Sequence, residues 1–128
     1  MILLDTHAFL WWLDGDPRLP GAQRKLIGTP GTDVYVSAAT GWEITTKHRL
    51  GKLPGAADVA ADVSAAVGTQ GFQALPITLA HAQRAGGLRG PLRDPFDRML
   101  IAQCLVESIP IISLDKAFDA YGVERLWG

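Results

Sequence analysis

The 128-residue sequence contains a single cysteine, Cys104, and no apolar run of the length needed to span a membrane. One cysteine excludes an internal disulfide, and its apolar surroundings predict a small core residue in a reducing compartment. The N-terminus lacks a basic segment, and Asp5 interrupts its apolar run, so a secretory signal peptide is not indicated. These absences favour a cytoplasmic protein that has no membrane partner.

A strong excess of charge of either sign is also missing. The chain carries 12 Lys and Arg against 13 Asp and Glu, which gives a formal net charge of −1. No overall field therefore draws the protein to nucleic acid, and any such contact requires a local patch. A length of 128 residues with 48% hydrophobic residues predicts a single domain over residues 1–128, with a real core.

Short apolar segments alternate with helical patterns along the chain. Strands are predicted at 1–5, 33–38, 72–77 (weakened by Pro76), 109–115 and, as a last edge strand, 123–127. Helices are predicted at 6–15, 19–27, 37–51, 57–71, 79–87 and 94–107, with a helical turn at 115–120. The alternation predicts an α/β fold, a three-layer α/β/α sandwich with a mostly parallel central sheet.

Four acidic residues from distant segments fall at one predicted edge of this sheet. Asp5 ends the first strand and Asp115 ends the strand 109–115. Glu43 lies about two turns into the helix after the second strand, and Asp97 lies in the first turn of the helix before the strand 109–115. Strands end and helices begin at the same edge in parallel β–α–β units, and ligands bind there. We therefore expect the four carboxylates to lie close together.

A cluster of ionised carboxylates is unstable by itself. Two unit charges about 4 Å apart repel by roughly 4 kcal/mol at an effective dielectric constant near 20. The cluster must take up protons or bind cations, and oxygen ligands favour Mg²⁺ or Mn²⁺ over zinc. Metal ions in such a site can activate a water molecule for attack on a phosphodiester. The acids therefore predict metal-dependent phosphoryl hydrolysis.

The stretch "RDPFDRMLIA" (93–102) has a second, purely local interpretation. Asp94 is a good helix N-cap, Pro95 suits the first helical position, and Asp97 complements the helix dipole. On local grounds alone, both carboxylates could serve only to begin the helix. Their separate roles are left open at this stage.

Four segments of the chain together resemble one known family: "LLDTHAFLWWL", "SAATGWEITTKHRLGKL", "RDPFDRMLIAQ" and "ISLDKAFDAYGVERLW". In this order and spacing they are similar to the PIN-domain family, and most of all to its VapC-like branch, the ribonuclease toxins of type II toxin–antitoxin pairs. The resemblance runs through essentially the whole chain. It implies a parallel α/β/α sandwich, endonuclease activity on RNA, homodimers and inhibition by a cognate antitoxin.

The resemblance also assigns residues. The catalytic, metal-binding quartet for Mg²⁺ or Mn²⁺ falls on Asp5, Glu43, Asp97 and Asp115. Thr6 matches a supporting position, and Asp94 belongs to the same motif as the cap. Many relatives carry a histidine just before this motif, where the present chain reads Gly-Pro-Leu-Arg over residues 90–93.

Several other side chains are weighed for function. Basic residues near the acids could contact RNA phosphates: Lys47, Arg49, Arg93 and Arg98. Trp11 and Trp12 could stack on bases, but a dimer or antitoxin contact is favoured for one of them. His7 is expected at the edge of the site, but a metal-binding role is not favoured, because hard ions do not prefer imidazole. His48 and His81 are predicted to be surface residues. Asp119 is predicted to be an exposed charge or a spare metal ligand.

Three alternative functions fit parts of the pattern. A haloacid-dehalogenase-like phosphatase also places an acid after the first strand, but it needs a second Asp where this chain has His7. A receiver-like signalling domain leaves Glu43 without a role. A catalytically silent PIN interaction module does not require the intact quartet of acids.

Overall fold

Five short parallel strands form the central sheet of the computed structural model, which describes all 128 residues. The strands are β1 (Ile2–Leu4), β2 (Val34–Ser37), β3 (Gln73–Leu75), β4 (Ile111–Ile112) and β5 (Arg125–Leu126). Their order across the sheet is β3-β2-β1-β4-β5, and every pairing is parallel. The predicted α/β fold is confirmed, with β1 at the centre and β3 and β5 at the edges.

Seven α-helices connect the strands: α1 (Thr6–Asp14), α2 (Gly21–Gly28), α3 (Ala38–Arg49), α4 (Ala57–Ala61), α5 (Val63–Thr69), α6 (Leu79–Gly87) and α7 (Pro95–Glu107). Two 3₁₀ helices lie at Pro54–Ala56 and Lys116–Tyr121. The prediction of one continuous helix over 57–71 is wrong. The chain breaks at Asp62, whose side chain accepts a hydrogen bond from the backbone N–H of Ala65 at 3.0 Å and thereby caps α5.

The core consists of two apolar clusters, one on each face of the sheet. Ile2 and Leu4 of β1 belong to a cluster of 15 buried residues that includes α1, whereas Leu3 belongs to a cluster of 10 that includes α7. This division follows from the alternation of side chains along a strand. Cys104 is buried in the second cluster, and burial raises the pKa of its thiol to about 12, as expected for a core residue.

The prediction of His81 as a surface residue is wrong, because its side chain is fully buried between α6 and α7. Its Nδ1 accepts a hydrogen bond from the backbone N–H of Thr78 at 3.0 Å. The ring proton therefore lies on Nε2, which donates to Glu107 at 2.9 Å. This histidine completes the N-terminal cap of α6 and joins it to the last residue of α7.

No helix combines the length and apolarity needed to cross a membrane.

Candidate active site at the carboxyl edge of the sheet

Asp5 lies where β1 ends and α1 begins, at the centre of the sheet. Its Oδ1 accepts a hydrogen bond from the backbone N–H of Ala8 at 2.8 Å, so the residue is the N-cap of α1. Burial raises the pKa of the Asp5 carboxyl, although hydrogen bonds from Ser113 and Ala8 oppose that shift. Asp5 is thus a buried carboxylate held in place by two donors.

Asp115 lies three residues beyond the end of β4, the strand next to β1. It caps the 3₁₀ helix Lys116–Tyr121 by accepting from the backbone N–H of Ala117 at 2.9 Å, and its side chain is exposed. Its own backbone N–H donates to the Ser113 hydroxyl at 3.0 Å. Ser113 therefore contacts both acids of neighbouring strands. The sequence analysis missed this serine, although its place two residues before Asp115 was a usable signal.

Glu43 approaches the same edge from α3 and is buried. Its carboxylate accepts a hydrogen bond from the Thr6 hydroxyl and forms an ion pair with Lys47, one turn further along the helix. The Thr6 hydroxyl in turn lies 3.4 Å from the Thr40 hydroxyl. Thr6, which follows Asp5 directly, thus links the end of β1 to α3.

Asp94 and Asp97 have different surroundings at the start of α7. Oδ1 of Asp94 accepts from the backbone N–H groups of Phe96 and Asp97 at 2.9 and 3.1 Å. Asp94 is therefore the N-cap, and Asp97 in the first turn is free of that role. Burial raises the pKa of the Asp97 carboxyl to about 7, and four neighbouring carboxylates act in the same direction: Asp94, Glu43, Asp115 and Asp5.

The fold thus brings the four predicted acids within reach of one another's charges, although they come from four distant segments. As the side chains are placed, no group of three or more His, Cys, Asp and Glu residues is gathered closely enough to hold a metal ion. Burial and the charges of neighbouring carboxylates together raise the pKa of Asp97, and a hard cation, which prefers oxygen ligands, would relieve the repulsion among these groups. Asp5, Glu43, Asp97 and Asp115 are the residues that could hold one.

Comparisons with known proteins agree with this architecture. The sequence model of the PIN domain matches residues 2–124. The chain belongs to the PIN-domain family. A search of curated proteins found no significant match.

Three solved structures illustrate the similarity of this PIN domain to others. VapBC2 from Rickettsia felis, bound to a DNA fragment from its promoter, has a TM-score of 0.71 at 13% identity, with 100% of both chains covered. VapC20 from Mycobacterium tuberculosis, a toxin that cleaves the sarcin–ricin loop, has a TM-score of 0.67 at 19% identity, again covering 100% of both chains. A toxin–antitoxin complex from Klebsiella pneumoniae has a TM-score of 0.60 at 17% identity, covering 94% of this chain and 91% of that one. At these identities the likeness shows the fold.

Two of the four basic side chains expected to meet RNA are engaged within this PIN domain itself. Lys47 forms an ion pair with Glu43. Burial lowers the pKa of the Lys47 ammonium, but the hydrogen bond to Glu43 and the charges of Asp94 and Asp97 raise it by more, so the net shift of its pKa is upward. The guanidinium of Arg98 donates to three backbone carbonyls, those of Ala85, Leu88 and Leu92, at 2.7–2.9 Å. Arg98 therefore holds the loop before α7, and its contact with RNA phosphate stays a prediction.

The same loop is fixed from a second side by Tyr121. The backbone N–H of Leu92 donates to the Tyr121 hydroxyl at 3.2 Å, and Gly90 adopts a φ of +108°. A Cβ at Gly90 would lie 2.7 Å from that hydroxyl, so a side chain at this position would require Tyr121 to move. This loop carries Arg93, which is exposed, as is Arg49 at the end of α3.

The tryptophans of α1 are mostly part of the core. Trp11 is only 8% exposed, and Trp12 packs on Phe72 and donates its indole N–H to Gln70 at 2.9 Å. They do not offer the open apolar surface expected for a partner. Asp119 is exposed and forms an ion pair with Arg125 at 2.9 Å, as expected for a surface charge.

Proposed function

We propose that this PIN domain is a metal-dependent endoribonuclease that acts as the toxin of a type II toxin–antitoxin pair. The observation that carries the proposal is the pKa of the Asp97 carboxyl, which burial and the charges of four neighbouring carboxylates raise to about 7 at the edge where ligands of parallel sheets bind. A stable fold does not by itself require carboxylates that repel one another, whereas a cation-binding site requires their negative charge.

The residues of the chain have separable roles in this proposal. Asp5, Glu43, Asp97 and Asp115 would hold Mg²⁺ or Mn²⁺, which supplies an activated water and charge stabilisation for phosphodiester hydrolysis when bound. Ser113 and the N–H of Ala8 orient Asp5, and Thr6 orients Glu43. Lys47 neutralises part of the cluster through Glu43. The proposed contacts with RNA phosphates are Lys47, Arg49, Arg93 and Arg98, of which Arg49 and Arg93 are exposed.

The proposal extends to partners and location. We propose a cognate antitoxin, a homodimer and a place in the cytoplasm, with residues 1–128 as one nuclease domain. The similarity to VapBC2 and to the Klebsiella complex supports the antitoxin. An Arg or Lys of the partner suits the acid edge by charge, since Arg pairs bidentately with carboxylate. Because Trp11 and Trp12 are largely used within the core, they do not carry this part of the proposal.

The test is cleavage of RNA by the purified protein. We expect activity that EDTA abolishes and that Mg²⁺ or Mn²⁺ restores, and we expect Asp5→Asn to lose it, because an amide retains the cap oxygen but removes the charge. Asp58→Asn on α4 is the matched control, since Asp58 is exposed and lies outside the acid edge. Cleavage that survives exhaustive chelation would overturn the metal mechanism.

A cellular test separates the toxin from a silent interaction module. Expression of the wild-type chain alone should arrest growth, whereas Asp5→Asn should not, and co-expression of the neighbouring small gene should relieve the arrest. Equal arrest by wild type and Asp5→Asn would mean that the acid edge is not its cause. No feature of the site favours the phosphatase alternative, because the position of its second acid is occupied by His7.

A further inference from the structure

Two cavities meet beside the acid edge, along α1. The first has a volume of about 380 Å³ and is lined by Asp5, His7, Trp11, Leu114 and Asp115. The second has a volume of about 260 Å³, shares His7 and Trp11 with the first, and extends to Arg18 and Lys52. We call the two cavities together the groove. One end is lined by two of the candidate metal ligands, and the other end is lined by Asp14 as well as by Arg18 and Lys52. The first cavity is within the size range of small-ligand sites, about 300–1,000 Å³.

The floor of this groove is aromatic and fixed. The Trp11 ring lies 5.9 Å from the Trp127 ring, and the Arg18 guanidinium lies 4.8 Å from the Trp11 centroid. Arg18 is itself held by an ion pair with Asp16 at 2.8 Å. Trp11 is therefore supported from two sides and presents only a small part of its surface to the groove.

The walls of the groove are flat or apolar groups that the core does not use. The imidazole of His7 is exposed, with its centroid 5.7 Å from that of Trp11 and the rings tilted by 42°. Leu114 is 53% exposed, although it lies between buried Ser113 and the acid Asp115. An exposed leucine at this point contributes little to folding, and its methyl groups face the same cavity as the imidazole.

We propose that this groove is a nucleobase subsite, in which the base beside the scissile phosphodiester stacks between His7 and Leu114 over Trp11. The inference rests on the proposed RNA substrate. The acid edge, which would hold the metal that binds a phosphate, is followed by the aromatic segment and then by Lys52, and this is the order phosphate, base, phosphate. Lys52 forms no ion pair within the protein and is available to the second phosphate. An apolar side chain of a protein partner would fill the aromatic segment but would leave Lys52 without a function.

The test compares cleavage of one RNA by variants of the groove and by matched variants elsewhere. His7→Ala and Leu114→Ala should each raise KM by about 5- to 100-fold, the range expected for loss of a stacked base, with a smaller change in kcat. Both should also alter the nucleotide preference next to the cut. The controls are His48→Ala and Leu50→Ala, because Leu50 has the same exposure as Leu114, 53%. They should stay within about twofold of wild type.

Binding gives a second readout in the inactive Asp97→Asn background. Dinucleoside monophosphates carrying each of the four bases should shift the indole N–H resonance of Trp11 and leave that of Trp42 unchanged, since Trp42 packs on Phe96 away from the groove. His7→Ala should weaken this response. Thermal unfolding of each variant checks that it is folded, which we expect because both substituted side chains are exposed.

The outcomes separate this inference from the proposed function. If the wild type cleaves RNA, but His7→Ala and Leu114→Ala match it in KM and in cut preference, the groove is not a base subsite. If those variants cleave normally but escape inhibition by the partner protein, the groove holds a side chain of that partner, and the inference is overturned. If the wild type cleaves no RNA at all, the proposed function fails and takes the inference with it.

Discussion

Aspartates begin both α1 and α7 at the same edge of the sheet, but the two helix starts divide their tasks differently. At α1 the cap and the candidate ligand are one residue, because Asp5 accepts a hydrogen bond from the N–H of Ala8 and is also a member of the acid quartet. At α7 the tasks are split. Asp94 accepts hydrogen bonds from two backbone N–H groups, and Asp97 lies in the first turn with a pKa of about 7.

The difference shows what a helix cap does to a carboxylate. Backbone N–H donors stabilise the charged form, and so they partly offset the effect of burial on Asp5. Asp97 has no part in capping, and burial together with four neighbouring carboxylates raises its pKa. A cation near Asp97 would therefore relieve a repulsion that no helix-cap hydrogen bond offsets. At α7, capping of the helix is therefore the role of Asp94, and the proposed role in the site is that of Asp97.

The largest expected effect is on activity. Asp97→Asn removes a charge that no backbone donor holds, and we expect it to reduce RNA cleavage by at least about 100-fold, the scale of losing one key electrostatic contact. Asp94→Asn retains a good cap and should reduce cleavage by less than about tenfold. The measurement is kcat/KM for both variants with Mg²⁺. Equal losses would mean that cap and ligand are not divided between these two residues.

The second expected effect is on the pH dependence of stability without metal. The folded-state pKa of Asp97, about 7, lies above the ordinary value of 3.8, so the folded state holds a proton that the unfolded state releases. The associated stability is fully present below pH 3.8 and is lost as the pH rises through about 7. We therefore expect the Tm of the EDTA-treated protein to fall between pH 5 and pH 8 by more in wild type than in Asp97→Asn.

Metal provides a control for this prediction. Saturating Mg²⁺ should reduce the fall in Tm of the wild type, because a bound cation takes the place of the proton, and it should act less on Asp97→Asn. Asp5 contributes in the same direction, since burial raises its pKa too, and so the slope should not vanish in the variant. Identical curves for the two proteins would show that the ionisation of Asp97 does not govern the effect.

The sequence was sufficient for the sheet and for the placement of the acids because both depend on simple periodicity. The apolar strands that precede Asp5 and Asp115 follow from local patterns, although β4 ends at Ile112, before the predicted end at residue 115. Local pattern also predicts Ser37 as the cap of α3, where its hydroxyl accepts from the N–H of Ala39 at 3.0 Å. The break at Asp62 was missed, because the Ala- and Val-rich pattern continues on both sides of a residue that prefers to cap.

Side-chain partners were harder to predict, because they depend on what the folded chain brings near. The guanidinium of Arg98 finds three carbonyls of the loop before α7, and His81 finds Thr78 and Glu107. Neither set of partners can be inferred from charge alone. The same holds for Ser113, which meets Asp5 only because β4 lies beside β1.

The smallest expected effect is on the stability of α7. Replacing Asp94 by Ala removes the oxygen that accepts from the N–H groups of Phe96 and Asp97, and we expect a loss of about 1 kcal/mol in the free energy of unfolding. Asp94→Asn should lose only a few tenths of a kcal/mol, because its amide oxygen can accept the same bonds. Urea denaturation at pH 8 with Mg²⁺ measures both, since metal then suppresses the titration of Asp97. If Asp94→Ala cost no stability but abolished cleavage, Asp94 would belong to the site rather than to the helix, and the division of tasks at α7 would be reversed.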